Sequence, residues 1–100
     1  MIIETNDKLL YVEDMMNQYE RPHVYDRYGR VDTGKTFDLL VVRNSTDLLT
    51  FDPFLAERAI LVVDVIDRSH LTYVVGQDHR YLWEIIDGPY GTAILKLLGW

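Results

Sequence analysis

Gly29-Arg30-Val31-Asp32-Thr33-Gly34-Lys35-Thr36 matches the phosphate-loop pattern G-x-x-x-x-G-K-[ST] at every position. Such a loop binds nucleotide when it joins a buried strand to a helix, because backbone N–H groups and the helix N-terminus then converge on the phosphates while the lysine reaches the outer ones. The flanking residues here have another character. Tyr25-Asp26-Arg27-Tyr28 is polar, and Phe37-Asp38-Leu39-Leu40-Val41-Val42-Arg43 is apolar and β-prone with no 3.6-residue face. The segment therefore reads as the turn of a hairpin, with Gly34 supplying the positive φ. Nucleotide binding stays as an alternative: Lys35 and Thr36 would hold phosphate, and Asp64, which follows the apolar run Ile60-Leu61-Val62-Val63, would stand near magnesium.

The remaining reactive types form weaker patterns. His23, His70 and His79 are the only imidazoles, and none stands in H-E-x-x-H or H-x-H. Ser69-His70 and Asp78-His79 lie in predicted turns, without a G-x-S-x-G elbow or another context that would activate a nucleophile. Asp64 and Asp67 could share a divalent ion, but Asp67 fits better as the start of a turn. Zero cysteines remove thiolate chemistry, disulfides and Cys-based metal centres. The expectation is a non-enzymatic protein, with no catalytic residue, cofactor or metal assigned.

Composition bounds the classes that remain. One hundred residues make a single domain, 1–100, too small for the doubly covered parallel sheet of phosphate-loop hydrolases. An apolar content of 48% predicts a folded core rather than a disordered chain. The net charge of −6 disfavours attraction to nucleic acid or anionic lipid and permits docking on a basic surface. The N-terminus lacks the basic region and long apolar run of a signal peptide, and no stretch approaches the ~20 apolar residues of a membrane span. A cytoplasmic or virion location is expected, without secretion through a signal peptide. Asn44-Ser45-Thr46 then reads as a polar turn rather than a glycosylation acceptor.

The elements predicted to position these residues make an α+β fold: an N-terminal helix, an antiparallel sheet of about four strands, and one or more short C-terminal helices. Leu9, Val12, Met16 and Tyr19, with Leu10 and Met15, give a helix over about 7–20 that stops at Arg21-Pro22. Residues 23–31 and 36–43 form the hairpin, and Asp52-Pro53 opens a short helix through Arg58. Ile60–Ile66 is the central strand, buried on both faces. Asp67–His70 turns the chain into a strand at 71–75, and Gly76–His79 turns it again. Residues 81–86 suit a strand by composition and a helix by the spacing of Leu82, Ile85 and Ile86. Thr92–Leu98 reads as a helix capped by Gly99.

Tyr73-Val74-Val75-Gly76, Asp78, Leu82-Trp83-Glu84-Ile85-Ile86, Tyr90-Gly91-Thr92, Leu95 and Leu97-Leu98 together resemble the first three quarters of a LysM module. The resemblance covers residues 73–98 and implies a strand, a helix over 80–87 and a second leucine-rich helix. It also implies binding of N-acetylglucosamine polymers or, as in LysM-like joints of phage tail baseplates, a structural role. One extra residue precedes Trp83, another precedes Tyr90, and the closing strand of the family is missing.

The aromatic set exceeds what one small core readily hides, and Tyr, Trp and Arg anchor protein interfaces. Tyr25, Arg27, Tyr28, Arg30, Trp83, Tyr90 and Trp100 are the expected partner-binding residues; among them Tyr25, Arg27, Tyr28, Arg30 and Trp100 are expected to be exposed. The functional expectation is a protein–protein interaction or assembly protein, such as a phage-type virion or tail accessory component, acting on a protein partner or as a homo-oligomer. It contacts neither nucleic acid directly nor membrane. The alternatives are an inhibitor that docks on a basic, nucleic-acid-binding surface, nucleotide binding through Gly29–Thr36, and LysM-like glycan binding.

Overall fold

The computed structural model describes residues 6–25, 36–49, 56–76 and 82–99. Its elements run in the order α1 (Asn6–Asn17), β1 (Pro22–Tyr25), β2 (Phe37–Asn44), a 3₁₀ turn (Ser45–Leu49), β3 (Ala56–Asp64), α2 (Arg68–Gly76), β4 (Leu82–Asp87), a second 3₁₀ turn (Pro89–Gly91) and β5 (Ala93–Gly99).

Two unbroken apolar runs organise the sheet. Leu39–Val42 in β2 and Ala59–Val63 in β3 are buried throughout, on both faces of their strands. Continuous rather than alternating apolarity is the mark of parallel strands covered on both sides. Accordingly, β1 pairs in parallel with β2, and β2 in parallel with β3. The sheet order is β1-β2-β3-β5-β4, with β5 antiparallel to both its neighbours. The expected antiparallel sheet of about four strands is thus a five-stranded mixed sheet, and where a hairpin of 23–31 and 36–43 was expected, residues 22–25 pair in parallel with 39–42, residues 26–35 lying outside the described residues. The predicted burial of the central strand on both faces holds over Ile60–Val63.

Side chains alternate between two faces along each strand, and each face has its own cover. On one face Leu39, Val41, Ala59, Leu61 and Val63 meet Met15, with Tyr11, Val12, Met16 and Tyr19 packed around them. On the other, Leu40, Val42, Ile60, Val62 and Leu95 meet Leu48 of the first 3₁₀ turn and Leu71 of α2. The result is three layers: α1, the sheet, and α2 with the 3₁₀ turn, so a sheet with a parallel centre covered on both faces does fit in a chain whose length was expected to exclude it. Phe37 pairs with Ala56 and Leu39 with Ala59, so one extra residue bulges out of β3 near its start.

Helix α1 stops at Asn17 rather than near residue 20. The Gln18 and Tyr19 amides donate back to the Met15 and Met16 carbonyls at 3.2 and 3.3 Å, tightening the exit. Pro22 then opens the edge strand β1, where a missing N–H leaves no ladder bond unmade. Leu9, expected on the core stripe, lies on the exposed side; the face that packs is carried by Tyr11, Val12, Met15 and Met16.

Three further expectations are corrected. Residues 71–75 are helical, because two parallel strands, β3 and β4, need a long crossover between them. Asp67 caps that helix: its Oδ1 accepts from the Ser69 amide at 2.9 Å and its carbonyl from the Leu71 amide at 3.0 Å. Ala56–Arg58 belong to β3 rather than to a connecting helix, and residues 52–55 lie outside the described residues. Residues 93–99 form strand β5, not a C-terminal helix, because the slot between β3 and β4 satisfies their backbone on both sides and overrides the helix propensity of Ala, Leu and Lys. Residues 82–87 are strand, so the helix–strand–strand order of 68–99 differs from the strand–helix–helix order implied by the LysM resemblance.

Residues 71 and 73 discriminate the two readings of this segment. In a strand they would share a face; in α2 Leu71 is fully buried and Tyr73 is 63% exposed. Leu71→Ala should cost about 2–5 kcal/mol by denaturant unfolding, whereas Tyr73→Ala should stay within about 0.5 kcal/mol.

Candidate functional site

In parallel sheets ligands gather outside the carboxyl ends of the strands. Here that end is built by Asn44, Asp64 and Asp87, by the first turn of α1, and by the turn between β4 and β5. Lys8 of α1 pairs with Asp64 at the end of β3, which ties the helix to the sheet. The Val65 amide donates to the Gly91 carbonyl at 3.0 Å and fixes the β4–β5 turn to the same end.

Between α1 and this turn lies an open groove of about 350 Å³, lined by Asp7, Leu10, Tyr11, Asp14, Pro89 and Tyr90. Helical spacing places positions 7, 10, 11 and 14 on one side of α1. Leu10 is 57% exposed and Tyr90 51% exposed, while Tyr11 is half-buried. The Tyr11 and Tyr90 rings stand 6.4 Å apart at 59°.

The turn that presents Tyr90 is tightly determined. Gly88 N–H donates to the Thr92 carbonyl at 2.9 Å, and Thr92 N–H and Oγ1–H both donate to the Pro89 carbonyl, at 3.2 and 2.7 Å. These bonds hold Tyr90 at φ 59° and ψ 30°, a left-handed conformation that bulky residues seldom adopt, followed by Gly91 at φ 75°. A Cβ on Gly88 would stand 2.3 Å from Thr92 Oγ1 and 3.2 Å from the Tyr11 hydroxyl, so only glycine lets the turn close against α1.

The opposite end of the sheet carries a charged clamp. Arg21 bonds Asp38 at 2.8 Å and also pairs with Glu57, while its Nη1 donates to the Thr36 carbonyl at 3.3 Å. Thr36 Oγ1 donates to Glu57 Oε1 at 3.2 Å. Asp38 is only 5% exposed. The hydrogen bond from Arg21 holds its carboxyl below the usual carboxylate range, against the opposing effect of burial, with Arg58 adding a smaller favourable charge. The clamp joins the starts of β1, β2 and β3.

The sequence-predicted residues fall apart spatially. Thr36 precedes the first residue of β2 and Asp64 stands opposite Asn44 at its end, so about 26 Å of strand, eight steps of about 3.3 Å, separates them. Asp64 is engaged by Lys8, and Gly29–Lys35 lies outside the described residues. Tyr25, expected on the surface, is 8% exposed and belongs to the core on the α2 side. Trp83 is half-buried against that core, and Tyr90 lines the groove. Arg27, Tyr28, Arg30, Asp78, His79 and Trp100 lie outside the described residues. Among the described residues no three His, Asp or Glu side chains come together as a metal site. His23 stacks on Phe37 at 4.5 Å, and His70 Nε2 is buried without a hydrogen-bond partner. Sequence reading missed Asp7, Leu10, Tyr11 and Asp14; the signal was the Leu9-Leu10 pair, which extends the apolar stripe of α1 beyond what one face can bury.

Two measurements test these ends. Gly88→Ala should cost about 1–3 kcal/mol in denaturant unfolding, and adding Thr92→Ala should recover part of it. Asp38, with a lowered native pKa, contributes stability above its unfolded value of about 3.9, lost as pH falls through the lower folded value. Thermal unfolding followed from neutral to acid pH should show Asp38→Asn less stable at neutrality, with a shallower acid slope; equal slopes would remove the clamp as the cause. No family model matches the chain, and no match was found among curated proteins or solved structures.

Proposed function

We propose that this chain is a non-enzymatic interaction protein that docks a protein partner on the groove between α1 and the β4–β5 turn. The observation behind the reading is that Leu10 and Tyr90 remain more than half exposed on elements that are themselves held in place. Keeping large apolar groups in water forgoes about 25 cal/mol for each Å² left uncovered. A rigid ledge carrying a tyrosine, a leucine and a proline recovers that energy when a partner covers it, with little ordering cost. Aromatic anchors on fixed backbone are the kind of residue that dominates protein interfaces.

Nucleotide binding has less support, since Thr36 and Asp64 stand at opposite ends of the sheet. Glycan binding would rest on Trp83 and Tyr90, of which Trp83 is half-buried against the core.

A photo-crosslinking side chain at position 10 should give a discrete protein adduct in an extract of the source cells, competed by unlabelled protein. The same probe at Tyr73, on the opposite layer and equally exposed, should give none. Equal labelling from both positions would dismiss the groove as the docking surface.

A further inference from the structure

We infer that the groove receives one basic side chain, a lysine ammonium or an arginine guanidinium, presented by a protein partner. The inference deepens the docking reading and rests on it.

The lining alternates in kind along α1. Asp7 and Asp14 are two helical turns apart, about 10.5 Å along the axis, and Leu10 and Tyr11 lie between them on the same side. Pro89 and Tyr90 form the facing wall, and among the described residues no basic side chain lines the groove. Neither aspartate has an ion pair among the described residues; Lys8, the nearest cation in sequence, reaches to Asp64 instead. Among the described residues no third His, Asp or Glu side chain joins the two aspartates to make a metal site. A long cationic side chain entering between them meets one or both.

The rings specify the same occupant. Tyr11 and Tyr90, at 6.4 Å and 59°, meet at an angle rather than in a closed stack, and Tyr90 is 51% exposed. A cation within about 6 Å of a ring centroid is drawn to its electron-rich face. The apolar stem of lysine or arginine would cover Leu10 and Pro89 while its charged end remains near the carboxylates. A neutral apolar group would bury the two aspartates without compensation, which is costly. An anion would meet them directly, and the net charge of −6 opposes its approach. The groove volume of about 350 Å³ lies at the low end for small-molecule sites.

The test is an NMR titration of the intact chain at millimolar concentrations of capped Gly-Arg-Gly and Gly-Lys-Gly, with capped Gly-Gln-Gly as the neutral control. The Tyr11 and Tyr90 ring signals should move with the basic peptides and not with the control, and the shifts should shrink as salt is added. Tyr90→Leu should weaken binding roughly two- to five-fold, about 0.5–1 kcal/mol for one exposed cation–π contact. The double variant Asp7→Asn, Asp14→Asn should weaken it further and abolish the salt dependence. Both changes are at exposed positions, and an otherwise unchanged amide spectrum verifies the fold. Equal response to the glutamine peptide, or none to arginine and lysine, overturns the inference. If the crosslink at position 10 persists while the basic peptides fail, docking stands and cation recognition falls. If the peptides bind and no adduct forms, the cation site stands and the protein-docking reading falls.

Discussion

The parallel pairing of β2 with β3 is the constraint from which the rest of the molecule follows. Neither strand has a polar face, since Leu39–Val42 and Ala59–Val63 are buried throughout. A sheet centred on such strands must be covered on both sides, and a chain of 100 residues has few helices with which to do it. Helix α1 covers one face. The other is covered by α2 and the 3₁₀ turn, the same segments that carry the chain between parallel strands. Covering and connecting are thus one task, which leaves little of the described chain as plain linker.

Economy of cover also explains the two polar fastenings. The charged clamp of Arg21, Asp38 and Glu57 joins the strand starts, while Lys8–Asp64 joins α1 to the strand ends. Among the described residues α1 has no neighbouring helix on its face, and the ion pair at its first turn complements the apolar contacts of Tyr11, Met15 and Tyr19. Asp38 is the more demanding member of the clamp. Its burial raises the cost of its charge, and the guanidinium offsets that cost at close range. The groove lies where α1 leaves the sheet, so its geometry inherits the precision of these contacts.

The sequence made the central strand and the N-terminal helix legible because periodicity is local: Ile60–Val63 is apolar without interruption, and Leu9, Val12, Met16 and Tyr19 recur at helical spacing, although Leu9 lies on the exposed side. It did not reveal strand direction. Nothing within 36–43 states whether its partner runs with it or against it, although the continuous apolarity of Leu39–Val42 carried the hint. The C-terminal half misled for a different reason. Leu71–Val75 is β-branched enough for a strand and Ala93–Leu98 has the leucines and lysine of a helix, yet the sheet needed a crossover in the first place and an inserted strand in the second. Lys96 stands opposite Glu84 in that register, a cross-strand pairing invisible until β4 and β5 are aligned. The groove was half legible: Tyr90 stood out as an aromatic in a turn, whereas its partners on α1 were absorbed into an amphipathic stripe wider than the sheet it covers.

Strand β5 follows β4 in the chain but lies between β4 and β3 in the sheet. In the folded sheet β3 therefore does not pair with β4, and its second edge is closed by β5 alone. That edge belongs to the most apolar strand of the molecule, and an open apolar edge is a template for pairing with another chain. Because Ala59 must find Lys96 and Lys8 must find Asp64, the stabilising contacts join distant parts of the chain, a pattern that slows closure. Strand β5 is accordingly the element that closes this apolar edge against pairing with another chain.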